Sequence, residues 1–101
     1  MLLHEFNWKK EVIESAEPVL VDFWAEWCGP CRSMNPVIEG LARHYKVCKV
    51  NVDTNQPLAA AHSISSIPAL LIFKGGRVVA RHVGVMTEAA LRAEMQSLTE
   101  K

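Results

Sequence analysis

Trp27-Cys28-Gly29-Pro30-Cys31 places two thiols three positions apart where an apolar, strand-like run ends and a helix-like run begins. One helical turn at that spacing brings the sulfurs close enough for a disulfide, with Gly29 setting the turn and Pro30 suited to a helix's first turn. The unpaired N–H groups and positive dipole end of such a helix favour a thiolate over a thiol. Cys28, the more N-terminal and more exposed of the pair, is therefore the expected nucleophile.

The segments around this site alternate between strand and helix patterns, without repeat, linker or low-complexity stretch. Leu2-Leu3-His4 reads as a short edge strand, and Asn7 is placed to N-cap a helix with Trp8, Val12 and Ile13 inward. Val19 to Ala25 is apolar except for Asp22, the pattern of a central strand covered on both faces. Beyond the cysteines, Met34, Val37, Ile38, Leu41, Ala42 and Tyr45 recur at helical spacing as one buried stripe, and Pro36 should kink that helix. Val47 to Val52 forms the next strand, and Pro57 opens a short helix through Leu58 to Ala61. Ala69–Phe73 and Val78–Val83 flank Lys74-Gly75-Gly76-Arg77, a hairpin signal, and Thr87 caps a last helix with Leu91, Met95 and Leu98 inward. The expectation is one α/β domain over residues 1–101, with a mixed sheet of parallel crossovers followed by an antiparallel hairpin and helices on both faces.

At 101 residues the chain is long enough to bury roughly 65% of its unfolded surface. Charges sum to zero, so the electrostatic footprint of a nucleic-acid or anionic-membrane partner is missing. The longest uncharged apolar run, Ile67 to Phe73, is far below the ~18 residues of a membrane span, and Met1 to Glu5 lacks the basic-then-apolar pattern of a secretory signal. Three cysteines do not build a disulfide framework, which fits a reducing compartment. A cytoplasmic, soluble monomer is expected; an organelle form without its transit peptide fits the same sequence.

The same residues admit other readings. Cys28 and Cys31 as half of a zinc site need two further ligands, and His4, His44, His62 and His82 are scattered singly, so no metal is expected. Cys48, mid-strand between Val47 and Lys49, reads as a small buried hydrophobe. Asp22 among apolar neighbours should have a raised pKa, which makes it a candidate proton acceptor near neutral pH; the alternative is an outward-facing strand charge.

The run Val21-Asp22-Phe23-Trp24-Ala25-Glu26-Trp27-Cys28-Gly29-Pro30-Cys31-Arg32 resembles the active-site segment of the thioredoxin family. The likeness continues through Ile67-Pro68, Phe73-Lys74-Gly75-Gly76 and Val83-Gly84, in the family's order and spacing. It implies the thioredoxin-like fold and a protein-disulfide reductase working through a redox disulfide of Cys28 and Cys31. Asp22 would lie beneath that disulfide and accept the proton of Cys31. Lys49 would approach Asp22 from the neighbouring strand, although a strand-end lysine snorkelling to water fits as well. The Ile67–Pro68 bond would be cis against the cysteines, leaving the Ile67 backbone to pair with a substrate strand. Trp27, Gly29, Ile67, Pro68 and Gly84 would form the apolar substrate-binding patch around Cys28, with Gly29 and Pro30 shaping the catalytic turn.

The resemblance also implies partners. Disulfide-containing target proteins would be reduced, and a separate reductase would return the electrons: an NADPH-using flavoprotein or, in plastids, a ferredoxin-linked enzyme. No cofactor is expected in the chain itself, which has no Gly-x-Gly-x-x-Gly fingerprint. Ala69 stands where many family members carry threonine, which implies altered target preference or a small stability effect. Two alternatives share the sequence: an electron donor dedicated to one target enzyme, and a binding or chaperone-like module whose cysteines are dispensable.

Overall fold

The computed structural model describes residues 1–100; Lys101, the last residue of the expected domain, lies outside the described residues. Four strands form a mixed sheet in the order β2-β1-β3-β4, where β1 is Val19–Trp24, β2 Lys46–Asn51, β3 Ala69–Lys74 and β4 Arg77–Val83. β1 pairs parallel with β2 and antiparallel with β3, and β3 pairs antiparallel with β4. The expected N-terminal strand is reduced to one parallel bridge, Leu2 to Lys49, which still buries Leu3.

Because side chains alternate along a strand, β1 serves two layers. Val19, Val21 and Phe23 pack with Trp8, Val12, Leu58, Leu71 and Phe73 on one face. Leu20 faces the other way, into a layer with Met34, with Ile38 and Leu41 of one helix and with Leu91 and Met95 of another. Helices thus cover both faces, and β1 has no solvent side. All six of its residues are buried or half-buried.

The first helix departs from expectation. α1 (Glu5–Trp8) starts at His4, and Asn7 lies inside it, its Oδ1 accepting from the His4 N–H at 2.7 Å. The helix continues as one π-helical turn, Lys9–Ile13, with the Glu14 N–H donating to the Lys9 carbonyl. The wider turn rotates the apolar stripe, so Val12 is buried while Ile13 is exposed. The helix after the cysteines divides into α2 (Gly29–Ser33) and α3 (Asn35–Ala42). Pro36 has no N–H to offer the Arg32 carbonyl, so the ladder breaks where the proline predicts. Met34, Ile38 and Leu41 are buried as expected, whereas Ala42, at the end of α3, is exposed.

α4 (Gln56–Ala61) carries Pro57 in its first turn. It ends with the Ser63 N–H donating to Ala60 and the Ile64 N–H to Ala59, the paired bonds of a Schellman stop, with Ser63 at φ +56°. Gly75 and Gly76 join β3 to β4 with φ of +62° and +79°, the two left-handed positions that a two-residue hairpin demands. α5 (Glu88–Thr99) is capped by Thr87, whose Oγ1 accepts from the Ala90 N–H at 3.2 Å.

Candidate functional site

The site forms where β1 ends. Ala25 closes the strand's apolar run, a turn exposes Glu26 and Trp27, and Cys28 becomes the N-cap of α2. Cys28 and Cys31 are joined as a disulfide with Cα atoms 5.2 Å apart. The Cys31 N–H points at the Cys28 Sγ at 3.1 Å. That amide is one of the donors a helix start leaves unpaired, and it would stabilise negative charge on Cys28 once the disulfide is reduced. Burial separates the two residues less than expected, at 4% exposure for Cys28 and 2% for Cys31.

The second wall is the loop before β3. The Ile67–Pro68 peptide is cis, as the family resemblance implied. Its Ile67 carbonyl lies 3.9 Å from the Cys28 Sγ. Gly84, just beyond β4, donates its N–H to the Pro68 carbonyl at 2.8 Å and adopts φ +100°. A Cβ there would meet nothing within 4 Å, so backbone conformation alone is the reason for glycine.

Trp27 stands at the rim with 69% of its surface exposed, its Nε1–H donating to the Asp53 Oδ2 at 2.9 Å. Together with Val52, Ile64 and Ile67 it lines a shallow groove of about 330 Å³ beside the disulfide, with Ser65 and Ser66 on its edge. The patch residues Trp27 and Ile67 therefore share one groove. Gly84 joins them through Pro68, while Gly29 is half-buried and Pro30 exposed in the first turn of α2.

The adjacent strands β1 and β2 contribute two charged groups. Asp22 is 1% exposed, and neither carboxylate oxygen has a hydrogen-bond partner among the described residues. Burial raises its pKa to about 6, against a smaller downward pull from Lys49. The alternative of an outward-facing strand charge is thereby excluded. Lys49 is the strand partner of Asp22, yet its ammonium donates to the Asn35 Oδ1 at 3.1 Å and sits 4.7 Å from the centre of the Trp24 ring. Cys31 clusters with Ala25, Cys28 and Trp24, the same ring that faces the Lys49 ammonium.

Cys48 is the third cysteine, fully buried between Phe23, Val50 and their neighbours, with burial pushing its thiol pKa up. Ala69 is 1% exposed and paired to Phe23 and Val83, so it packs into the core rather than facing the groove. Among the described residues, no three of His, Cys, Asp and Glu gather as a metal site, and no helix is long and apolar enough to cross a membrane.

Two contacts escaped sequence reasoning. Asp53 fastens Trp27, and Asn35 holds Lys49. Asp53 had a local signal, because Asn51 opens an Asx turn by accepting from the Asp53 and Thr54 N–H groups. Asn35 had none, since its partner is brought in by the sheet.

Comparison with known proteins agrees with this geometry. The thioredoxin family model matches residues 1–97. Thioredoxin 1 of Nostoc sp. is 47% identical over 94 residues, covering 89% of this chain and 88% of that protein. Thioredoxin 1 of Synechococcus elongatus is 50% identical over 89 residues, covering 84% and 83%. A mutant thioredoxin from Halobacterium salinarum superimposes with a TM-score of 0.92 at 37% identity, over all of this chain and 91% of that one.

Proposed function

The chain belongs to the thioredoxin family, and on that premise we propose how its residues divide the work of reducing protein disulfides. It is a thiol-disulfide oxidoreductase acting by dithiol–disulfide exchange through Cys28 and Cys31. Its partners are proteins that carry a disulfide and a reductase that restores the dithiol.

The observation that carries the division of roles is the Cys31 N–H aimed at the Cys28 Sγ. It favours the Cys28 thiolate, so Cys28 attacks one sulfur of the target disulfide and joins it in a mixed disulfide, while the other target sulfur leaves as a thiolate and takes up a proton. Cys31 then gives its proton to Asp22 and attacks the Cys28 Sγ. The mixed disulfide breaks, the Cys28–Cys31 disulfide forms, and the second target thiol departs. Two electrons pass from the dithiol to the target, and the reductase returns two.

Asp22 suits its part because a carboxyl with a pKa of about 6 is mostly ionised at neutral pH yet basic enough to take a proton. The groove between Trp27 and Ile67 receives the target chain, whose extended backbone pairs with Ile67 beside Pro68 and Gly84. Gly29 keeps the approach to Cys28 open, and Pro30 stiffens the first turn. We take the electron donor to be an NADPH flavoprotein or a ferredoxin-linked enzyme, and the protein to act as a cytoplasmic monomer; its single redox pair and lone buried cysteine support a reducing compartment.

Insulin reduction driven by dithiothreitol tests the assignment. Cys28→Ser should abolish turnover, and rates near wild type would overturn it. A double Cys28→Ser, Cys31→Ser variant that keeps cellular function would instead favour a binding module, and Cys31→Ser bait, unable to resolve mixed disulfides, would identify the targets.

A further inference from the structure

Lys49 and Asp22 are opposite charges in register on adjacent strands, on the sheet face that α3 covers. Neighbours of that kind ordinarily pair. Here the ammonium is committed elsewhere, to the Asn35 Oδ1 at 3.1 Å and the Trp24 ring at 4.7 Å, and both Asp22 oxygens stay unpartnered among the described residues.

The choice of asparagine matters. A carboxamide oxygen accepts from an ammonium without adding a charge, whereas an aspartate at the same place would compete with Asp22 and an alanine would offer nothing. Asn35 is the first residue of α3, immediately before Pro36. Its backbone position is therefore fixed by the break that the proline imposes. A neutral acceptor and an aromatic face together offset much of the cost of holding a cation in a half-buried place.

We propose that Asn35 is a positioning residue: by tethering the Lys49 ammonium it keeps the cation out of ion-pair reach of Asp22 and so leaves that carboxyl able to take a proton during exchange. The inference rests on the reading of Asp22 as the acceptor for Cys31. The surroundings leave Lys49 as the charge that matters. From β3 the strand partner of Asp22 is Leu70, and Met34, the cap residue of α3, joins Ile38 and Leu41 of α3 and Leu91 and Met95 of α5 in this layer. Cys31 of α2 packs with Trp24 and is held in the disulfide until reduction. Lys49 is the cation that acts on Asp22.

Carbon-13 titration of the Asp22 carboxyl in the oxidised protein tests the tether directly. Asn35→Ala should lower the midpoint by about one pH unit or more as Lys49 closes on the carboxylate. Lys49→Met should raise it, and Asn35→Ala added to Lys49→Met should change nothing further. Asn35→Leu, which keeps the volume but not the acceptor, should repeat the effect if the alanine variant folds poorly.

An unchanged or raised midpoint in a folded Asn35 variant overturns the proposal, as does an equal shift in the Lys49→Met background. The pH profile of single-turnover attack by Cys31 on a Cys28 mixed disulfide should move with the midpoint. If the midpoint moves and the profile does not, the tether stands and the acceptor role of Asp22 falls.

Discussion

Trp27 and Asp53 hold each other across the rim of the groove: the indole N–H donates to the carboxylate at 2.9 Å although the ring is 69% exposed. An exposed aromatic without such an anchor would sample several rotamers, and a target would have to order it on binding. Asp53→Ala should therefore raise KM for a protein disulfide about two- to tenfold, the worth of one hydrogen bond, and leave kcat nearly unchanged. Steady-state reduction of insulin separates the two. A fall in kcat with constant KM would show that the contact serves the chemical step instead.

Asp22→Ala should stabilise the oxidised protein at pH 7. The folded pKa of about 6 lies above the ordinary 3.8, so the native state binds this proton more tightly than the unfolded chain. The associated stability is fully present below pH 3.8 and is lost as pH rises through the folded value. Removing the carboxyl should recover up to about 3 kcal/mol at pH 7, less the cavity it leaves, and nothing near pH 4. Urea unfolding at both pH values checks it. The same variant should slow exchange, and a destabilised variant with an unimpaired rate would contradict both halves.

Cys48→Ala should leave insulin reduction unchanged and cost about 1 kcal/mol of stability, because the residue packs in a closed layer under Phe23 and its sulfur is replaced by a small void. Parallel rate and denaturation measurements decide the matter. A large rate loss in the folded variant would give that thiol a part in the chemistry.

Ser63→Gly should raise stability by about 0.5–1 kcal/mol. Ser63 occupies the left-handed stop of α4 at φ +56°, where glycine lacks the Cβ penalty. At this chain length that is a few degrees in Tm, readable by thermal unfolding. A lower Tm would show that the serine hydroxyl contributes something glycine cannot.

The sequence was most readable where one residue's chemistry allows one geometry. Pro36 marked the break between α2 and α3, Gly75-Gly76 marked the hairpin, and the apolar run around Asp22 marked a strand with no wet face. It was least readable where a side chain answers to something distant. Asn7 has the composition of an N-cap but folds back on His4 from inside the helix. Ile13 fits the inner stripe of a regular helix and is rotated out by a π turn. Of the site, the cysteines, Asp22, Trp27, Ile67, Pro68 and Gly84 were all named by local motif or family likeness. The Asn35 tether was hidden, because it depends on β2 delivering Lys49 beside β1.

The alternation along β1 has a consequence for how this protein can vary. Val19, Val21 and Phe23 pack in an apolar layer, with the His62 ring 6.1 Å from that of Phe23, so a saturation library at those positions should accept volume-conserving swaps at a cost under about 1.5 kcal/mol each. At Asp22, one position away, the same library would be screened by proton transfer. Shifting the strand by a single residue leaves its composition untouched and exchanges the two layers. It would deliver a carboxyl into the layer under Trp8 and a phenyl ring to the face beneath α3. Insertions and deletions in this strand, far more than point substitutions, are where a lineage would lose its chemistry while keeping its hydrophobicity.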